Sequence, residues 1–270
     1  MARTARVKKT GGGTAYYHLM SRTNDRRFLF DNGKVKTQLV DALKRAAAFS
    51  GVEIDAYVAM DNHFHVVCKV ERGDEPVPEG ELLRRVAALK GGRAAERLAL
   101  QWKELRRSGK GAAVDEAQDR LRARMNDISE FMKTFKEAFN VWYKRERKYA
   151  GTIWSGRFTS TLVEGGRYRA TCMRYVYLNP VRAGIVTRAA DYAWSWVASV
   201  EPFAGSVPEG RLMRRVAQIG GGKIFGSEGF VVATAFALGD RLRARRVSAR
   251  VVPELGFATH GWKLAKEVAA

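Results

Sequence analysis

Cysteine is scarce in this 270-residue chain: Cys68 and Cys172 are too few for a disulfide framework or a four-cysteine zinc site. Both sit in apolar patterns and read as small core hydrophobes. Long hydrophobic runs are missing as well, since no apolar stretch approaches the ~18 residues a membrane span requires. The first residues, Met1 to Lys9, carry cations without an apolar segment behind them, so no signal peptide is legible and the cytoplasm is the expected compartment. Neither glycine-rich stretch, Gly11-Gly12-Gly13-Thr14 or Gly221-Gly222-Lys223-Ile224, has the Gly-Lys-Ser/Thr ending of a phosphate-binding loop, which argues against nucleotide hydrolysis. Acidic residues are also few. Against 28 Asp and Glu stand 48 Lys and Arg, a formal charge of +20, while a hydrophobic fraction of 46% excludes a disordered chain.

A charge of this sign and size attracts polyphosphate backbones or anionic surfaces. Its distribution is uneven: residues 1–70 carry a net +6, 71–126 +3, 127–190 +7, 191–208 −2 and 209–270 +6. The excess brackets a nearly balanced middle, whose Arg, Glu, Ala, Leu and Lys with few aromatics predict two or three exposed helices.

The flanking parts read differently. Ala15 to Met20, Val52 to Met60 and His63 to Val70 are rich in β-formers and bounded by turn residues, and Asp61-Asn62 predicts a hairpin between the second and third strands. Val35, Leu39, Leu43 and Ala47 predict a helix after the first strand, capped by Asp31 or Asn32 and ended by Gly51. Asp127 to Arg147 gives the cleanest helix, with Ile128, Phe131, Met132, Phe135, Ala138, Phe139 and Trp142 on one stripe. A strand is expected over Thr152 to Val163, and a helix from Arg167 to Leu178 that Pro180 should end. Beyond Tyr192 the pattern weakens, although Gly229 to Leu242 has helical character and Arg241 to Arg250 is strongly basic. The order predicts an α+β fold: a ferredoxin-like or RRM-like antiparallel sheet with helices on one face, plus a helical insertion and a basic C-terminal extension.

Two of the four histidines form His63-Phe64-His65 inside a predicted strand. Alternation puts both imidazoles on one face with Val67, and Phe64, Val66 and Cys68 on the other. Two imidazoles make an incomplete site for a divalent cation, so a third ligand must come from elsewhere. Tyr175 and Asn179 are four apart, which on a helix places the phenol beside the amide, whereas Tyr177 is rotated away and fits a core position. A bland reading has both tyrosines in the core and Asn179 ending the helix.

Four stretches together resemble the HUH single-tyrosine transposases, closest to their REP-associated branch: Tyr16-Tyr17-His18-Leu19-Met20-Ser21-Arg22, Ala59-Met60-Asp61-Asn62-His63-Phe64-His65, Trp154-Ser155-Gly156-Arg157-Phe158, and Tyr175 through Gly184. They follow the family order over residues 16–190. The resemblance implies a catalytic core of residues 1–70 and 127–190, an insertion at 71–126 and an extension at 191–270. It further implies that His63, His65 and Asn179 hold Mg²⁺ or Mn²⁺, with no other cofactor, and that Tyr175 attacks a phosphate of single-stranded DNA. The products would be a 3′-hydroxyl and a 5′-phosphotyrosine link. Many simpler members carry Gln where Asn179 stands. Arg22, Arg157, Arg174 and Arg182 are the expected DNA contacts, and Tyr16, Trp154 and Phe158 are candidates to stack on bases, with burial as the alternative for the last two. The implied partner is single-stranded DNA with hairpin or inverted-repeat features, met by a monomer or homodimer in the nucleoid, with no membrane involved. A domesticated, non-catalytic nucleic-acid-binding protein on the same fold is the competing reading.

Overall fold

A computed structural model gives the fold, described for residues 6–9, 12–73, 75–196, 222–227, 229–230, 233–234, 249–252 and 257–261. The first strand, β1 (Gly13–Arg22), alternates buried and half-exposed residues along its length, the signature of a strand with one face closed and one partly open. It pairs antiparallel with β3 (His63–Arg72) on one side and β4 (Thr159–Val163) on the other, while β2 (Val52–Ala59) pairs antiparallel with β3 through the expected turn. Three further strands, β5 (Gly222–Gly226), β6 (Ala249–Val252) and β7 (Phe257–Gly261), extend the sheet in the order β2-β3-β1-β4-β5-β7-β6. The mixed α+β class stands.

The closed face is built from Tyr17, Leu19, Phe64, Val66, Cys68 and Val70, packed under α1 (Gly33–Ser50) and α5 (Ile128–Arg147). Both helices form where their sequences direct. Asn32 Oδ1 accepts from the Val35 amide at 3.0 Å to start α1, and Gly51, at φ 65°, ends it in the left-handed conformation that glycine tolerates. Asp127 Oδ1 accepts from the Ser129 and Glu130 amides to start α5, whose Phe131, Met132, Phe135 and Phe139 are fully buried.

These two long helices share one face, but α6 (Arg167–Tyr177) lies on the other. Its Tyr168, Cys172 and Val176 pack on Ala56, Val58 and Val67, the apolar neighbours of the two histidines in the sheet. A β-bulge at Asp55 anchors it: the buried carboxylate receives Arg169 Nε at 2.9 Å and Nη2 of the same guanidinium. Gly166, at φ 62°, makes the turn into α6. The helix ends at Tyr177, ahead of Pro180 as expected. The helical run breaks at Leu178 and resumes as α7 (Asn179–Arg182), with Pro180 in its first turn, where no intrahelical N–H donor is needed.

The strand expected over 152–163 is confined to Thr159–Val163, because residues 151–158 turn so that Trp154 enters the core between Phe30, Phe64, Phe135 and Phe139. The middle segment forms α2 (Glu79–Lys90), α3 (Gly92–Arg107) and α4 (Gly111–Arg122) around Trp102, an apolar cluster joined to the core through Phe49 of α1. Edge strand β2 is covered by residues 192–196: Tyr192 donates its hydroxyl to the Ala59 carbonyl at 2.7 Å, and the Ala59 amide donates to the Trp194 carbonyl at 2.9 Å. Toward the C-terminus, β5 runs parallel to β4 and buries Ile224 and Phe225, so part of the 191–270 extension is built into the sheet. Residues 229, 230, 233 and 234 of the helix expected at 229–242 are helical, while the rest of it and most of the basic 241–250 segment lie outside the described residues. No helix among the described residues is long and apolar enough to cross a membrane.

Candidate active site

On the half-open face, the β1–β3 register sets Met20 opposite His65 and Arg22 opposite His63. Strand alternation therefore gathers His18, Met20, Arg22, His63 and His65 on one surface. The His63 and His65 rings meet edge to face with centroids 5.1 Å apart. His18 stacks on His65 at 5.1 Å, and its Nε2 lies 3.0 Å from His65 Nδ1. From α6, the Tyr175 ring stands edge-on to His65 at 5.5 Å and to His18 at 5.9 Å. Tyr177 is buried, 9% exposed, away from this cluster.

Hydrogen bonding determines which ring nitrogens are available. The Asn62 amide is oriented because Nδ2 donates to the Arg26 carbonyl at 3.0 Å, leaving Oδ1 to face His63 Nδ1 at 2.7 Å. An amide oxygen only accepts, so His63 carries its proton on Nδ1 and presents a bare Nε2. For His65, the bond to His18 engages Nδ1 and leaves its Nε2 uncommitted among the described residues. The Asn179 side chain, half-buried, makes no hydrogen bond among the described residues. Two neutral imidazole nitrogens can bind a divalent cation, and for Mg²⁺ or Mn²⁺, which favour oxygen, a spare amide oxygen and water would have to complete the shell. No group of three or more His, Cys, Asp or Glu side chains among the described residues is placed to hold a metal.

Burial keeps the imidazoles uncharged. Desolvation lowers His18 to about 4, and desolvation with the nearby Arg22 charge lowers His63 to about 4. His65 is pushed well down by desolvation, then by His18, His63, Arg22 and Arg182. The sign of the stability effect follows. Unfolded histidines titrate near ~6.5, so below that pH the unfolded chain takes up protons that the folded chain refuses, and stability falls as pH drops toward 4. We expect the unfolding temperature of metal-free protein to fall by roughly 5–10 °C between pH 7 and 5, measured by calorimetry. A flat profile over that window would contradict neutral, desolvated imidazoles.

The four arginines fall into two groups. Arg22 and Arg182 flank the site: Arg22 extends from β1 beside His63, and the Arg182 guanidinium lies 5.1 Å from the centre of the Tyr175 ring. Arg157 sits on the turn whose Ser155 amide bonds to the Arg22 carbonyl at 3.0 Å, and Arg174 precedes Tyr175 on α6. That turn is packed against α5 by Lys136, whose ammonium reaches the Gly156 carbonyl at 2.9 Å and lies 4.8 Å from the Trp154 ring; burial lowers it to about 8.

Two of the three aromatic candidates for base stacking are corrected. Trp154 is in the core, donating Nε1–H to Asn140 Oδ1 at 2.6 Å, and Phe158 is buried under the Arg6 guanidinium. Tyr16 is half-buried beneath Arg169. Sequence reasoning assigned no role to His18 and took Asn62 only as a turn residue. The signal for His18 was its even spacing from Met20 and Arg22, which puts it on the surface that the His63-Phe64-His65 strand adjoins.

The amino-acid sequence matches the family model described as "Transposase IS200 like" over residues 13–110. Among solved structures, one of a REP-associated tyrosine transposase bound to a REP hairpin is 19% identical, with a TM-score of 0.46, covering 77% of this chain and 93% of that one. A protein of Deinococcus radiodurans R1 assigned as a transposase is 16% identical, with a TM-score of 0.29, covering 64% and 95%. No curated protein matches the chain. Over residues 13–110 the chain is similar to the IS200-like transposases. The match takes in His18, His63 and His65 and ends before Tyr175 and Asn179.

Proposed function

We propose that this protein cleaves and rejoins single-stranded DNA through a 5′-phosphotyrosine intermediate. The observation that supports this most directly is the Tyr175 ring standing against the His18–His65 pair from a different element, on the one open face of the sheet. The Tyr175 oxygen bonds to the scissile phosphorus as the bond from phosphorus to the 3′ oxygen breaks. The phenol loses its proton to solvent and the departing 3′ oxygen takes one up, so charge balances and the phosphodiester bond energy is kept in the link. A second 3′-hydroxyl reverses the step and rejoins the strand.

His63 and His65, through Nε2, and Asn179, through its amide oxygen, would hold a divalent cation. Bound there, Mg²⁺ or Mn²⁺ would supply positive charge that favours the phenolate and offsets charge gathering on the phosphate. Asn62 and His18 fix the ring orientations that leave both Nε2 atoms available. Because histidines and tyrosine meet within one chain, the arrangement supports a monomer acting in cis. Residues 1–70 and 127–190 would form the catalytic core, with 71–126 as a helical insertion and 191–270 as an extension. The DNA would carry the hairpin or inverted-repeat feature of the resemblance.

The test is direct. Wild-type protein incubated with 3′-labelled single-stranded DNA and Mn²⁺ should yield a labelled species that survives denaturing electrophoresis and is removed by protease. DNA binding without any such species would favour the non-catalytic reading instead.

Arg22, Arg157, Arg174 and Arg182 would contact phosphates. Binding should then weaken steeply with salt, and Arg22→Ala and Arg182→Ala should each flatten the log–log slope by about 0.7, the value for one phosphate contact on a single strand. Slopes measured by fluorescence anisotropy that are unchanged in both variants would remove these residues from the interface.

A further inference from the structure

With Trp154 and Phe158 buried, the aromatic left facing solvent near the site is one that the motifs did not single out. Phe28 is 69% exposed, the one aromatic among the large exposed apolar side chains of the described residues. It sits in the segment after β1, and that segment is firmly held. Thr23 donates its hydroxyl to the Arg27 carbonyl at 2.6 Å, and its amide to the Asn62 carbonyl at 2.9 Å. The Phe30 amide donates to the Asp61 carbonyl at 2.9 Å, and the Asn62 side chain reaches the Arg26 carbonyl at 3.0 Å. Both ends of the segment are thus stitched to the 61–62 turn. The same Asn62 amide that holds Arg26 holds His63, so a single side chain links the Phe28 segment to the candidate active site.

Asp25 and Arg26 adopt φ values of 52° and 56°, a left-handed conformation that non-glycine residues rarely take twice in succession. Such backbone persists because the surrounding bonds fix it, and here it carries an apolar ring out into water. The neighbours are mainly cationic, with the one exposed carboxylate of the segment, Asp25, accepting from Asn24 Nδ2 at 2.9 Å. Arg22 and Arg26 are exposed, Arg26 makes no ion pair among the described residues, and Arg27 is committed to Tyr149, with its Nη1 3.1 Å from the hydroxyl. A rigid exposed aromatic ring among cations, one hydrogen-bonded residue from the site, matches the chemistry of an unpaired nucleobase with its phosphates. A paired base has its faces covered by its neighbours and cannot use such a ring.

We infer that Phe28 is a stacking platform for one unpaired base of the single strand, close to the phosphate that Tyr175 would attack. The inference rests on the proposed DNA-cleaving reading for its position along the strand, and on the geometry alone for its chemistry. The test uses mixed-sequence single-stranded oligonucleotides with 2-aminopurine placed at successive positions, and a duplex of the same sequence as control. In the wild type, fluorescence at one position should be quenched on binding. Phe28→Ala should abolish that quenching and weaken single-strand affinity about tenfold, with duplex affinity and salt slope unchanged. Phe28→Leu, which keeps apolar bulk without a π face, should behave like Phe28→Ala, and Phe28→Trp should bind at least as tightly as wild type. Because the side chain is exposed, all three variants should keep the wild-type unfolding temperature.

Equal affinity of wild type and Phe28→Ala, wild-type affinity in Phe28→Leu, or equal loss on duplex would each overturn the stacking role. Adduct formation by wild type separates the two proposals. If adduct forms and Phe28→Ala binds normally, only the platform falls. If no adduct forms but the quenching and its loss are seen, the platform stands and the cleavage reading falls. Absence of any single-strand binding removes both.

Discussion

Tyr175→Phe should eliminate the covalent DNA adduct while leaving the fold and single-strand affinity within about twofold of wild type. The substitution removes one oxygen and keeps the ring that packs edge-on to His18 and His65, 5.9 and 5.5 Å away between centroids, so no cavity opens. Tyr177→Phe is the matched control. That side chain is buried on α6 and turned from the histidines, so adduct yield should be unchanged while the unfolding temperature moves by a few degrees at most. Denaturing electrophoresis with 3′-labelled single strands measures the yield, and mass spectrometry identifies the linked residue. Adduct at the wild-type level in Tyr175→Phe, or linkage mapped to Tyr177, would show that the helix presents the wrong tyrosine and would sink the assignment. The helix-register argument is exposed to the same result, since it chose the same one of two tyrosines two residues apart.

That register was readable because α6 is amphipathic in the ordinary way, and the same holds for the strand pair carrying His63 and His65. Alternating burial along β1, the Asp61-Asn62 turn and the α5 stripe are local signals whose physical cause acts within a few residues. What stayed hidden depends on contacts far apart in the chain. His18 joins the cluster only because β1 and β3 pair with Met20 opposite His65, a register that no local pattern states. Asp55 gained its role from a bulge that turns it toward Arg169, 114 residues on. The Trp154-Ser155-Gly156-Arg157-Phe158 stretch illustrates the ambiguity most clearly. Aromatics alternating with a cation suit a base-stacking surface or a core edge equally, and only the four phenylalanines around Trp154 decide for the core. The placement of α6 opposite α1 and α5 was hidden for the same reason, since an apolar stripe says that a helix packs but not on which face of the sheet. Asn179 shows a limit of another kind: its i, i+4 relation to Tyr175 spans the break at Leu178, and Arg182 is the residue that reaches the Tyr175 ring.

A large effect on cation binding is also expected from a residue outside the proposed ligand set. For His65 to offer a bare Nε2, its proton must sit on Nδ1 and be donated to His18 Nε2, 3.0 Å away. His18→Ala deletes that acceptor and leaves His65 free to rotate or to change tautomer, and loss of such an orienting partner typically weakens a metal site by about 10- to 100-fold. His18→Gln restores an acceptor oxygen on a side chain of similar reach, so it should recover most of the lost affinity, whereas a merely space-filling role would be restored equally by His18→Leu. The measurement is Mn²⁺ binding to the DNA-free protein, followed by electron paramagnetic resonance of the free ion, with His63→Ala and His65→Ala as variants expected to abolish it. Thermal unfolding read in the same samples separates a lost ligand geometry from a damaged fold. If His18→Ala, correctly folded, binds Mn²⁺ as tightly as wild type, the orienting bond has no bearing on the cation. If His63→Ala and His65→Ala also bind as wild type, the cation is held somewhere else altogether.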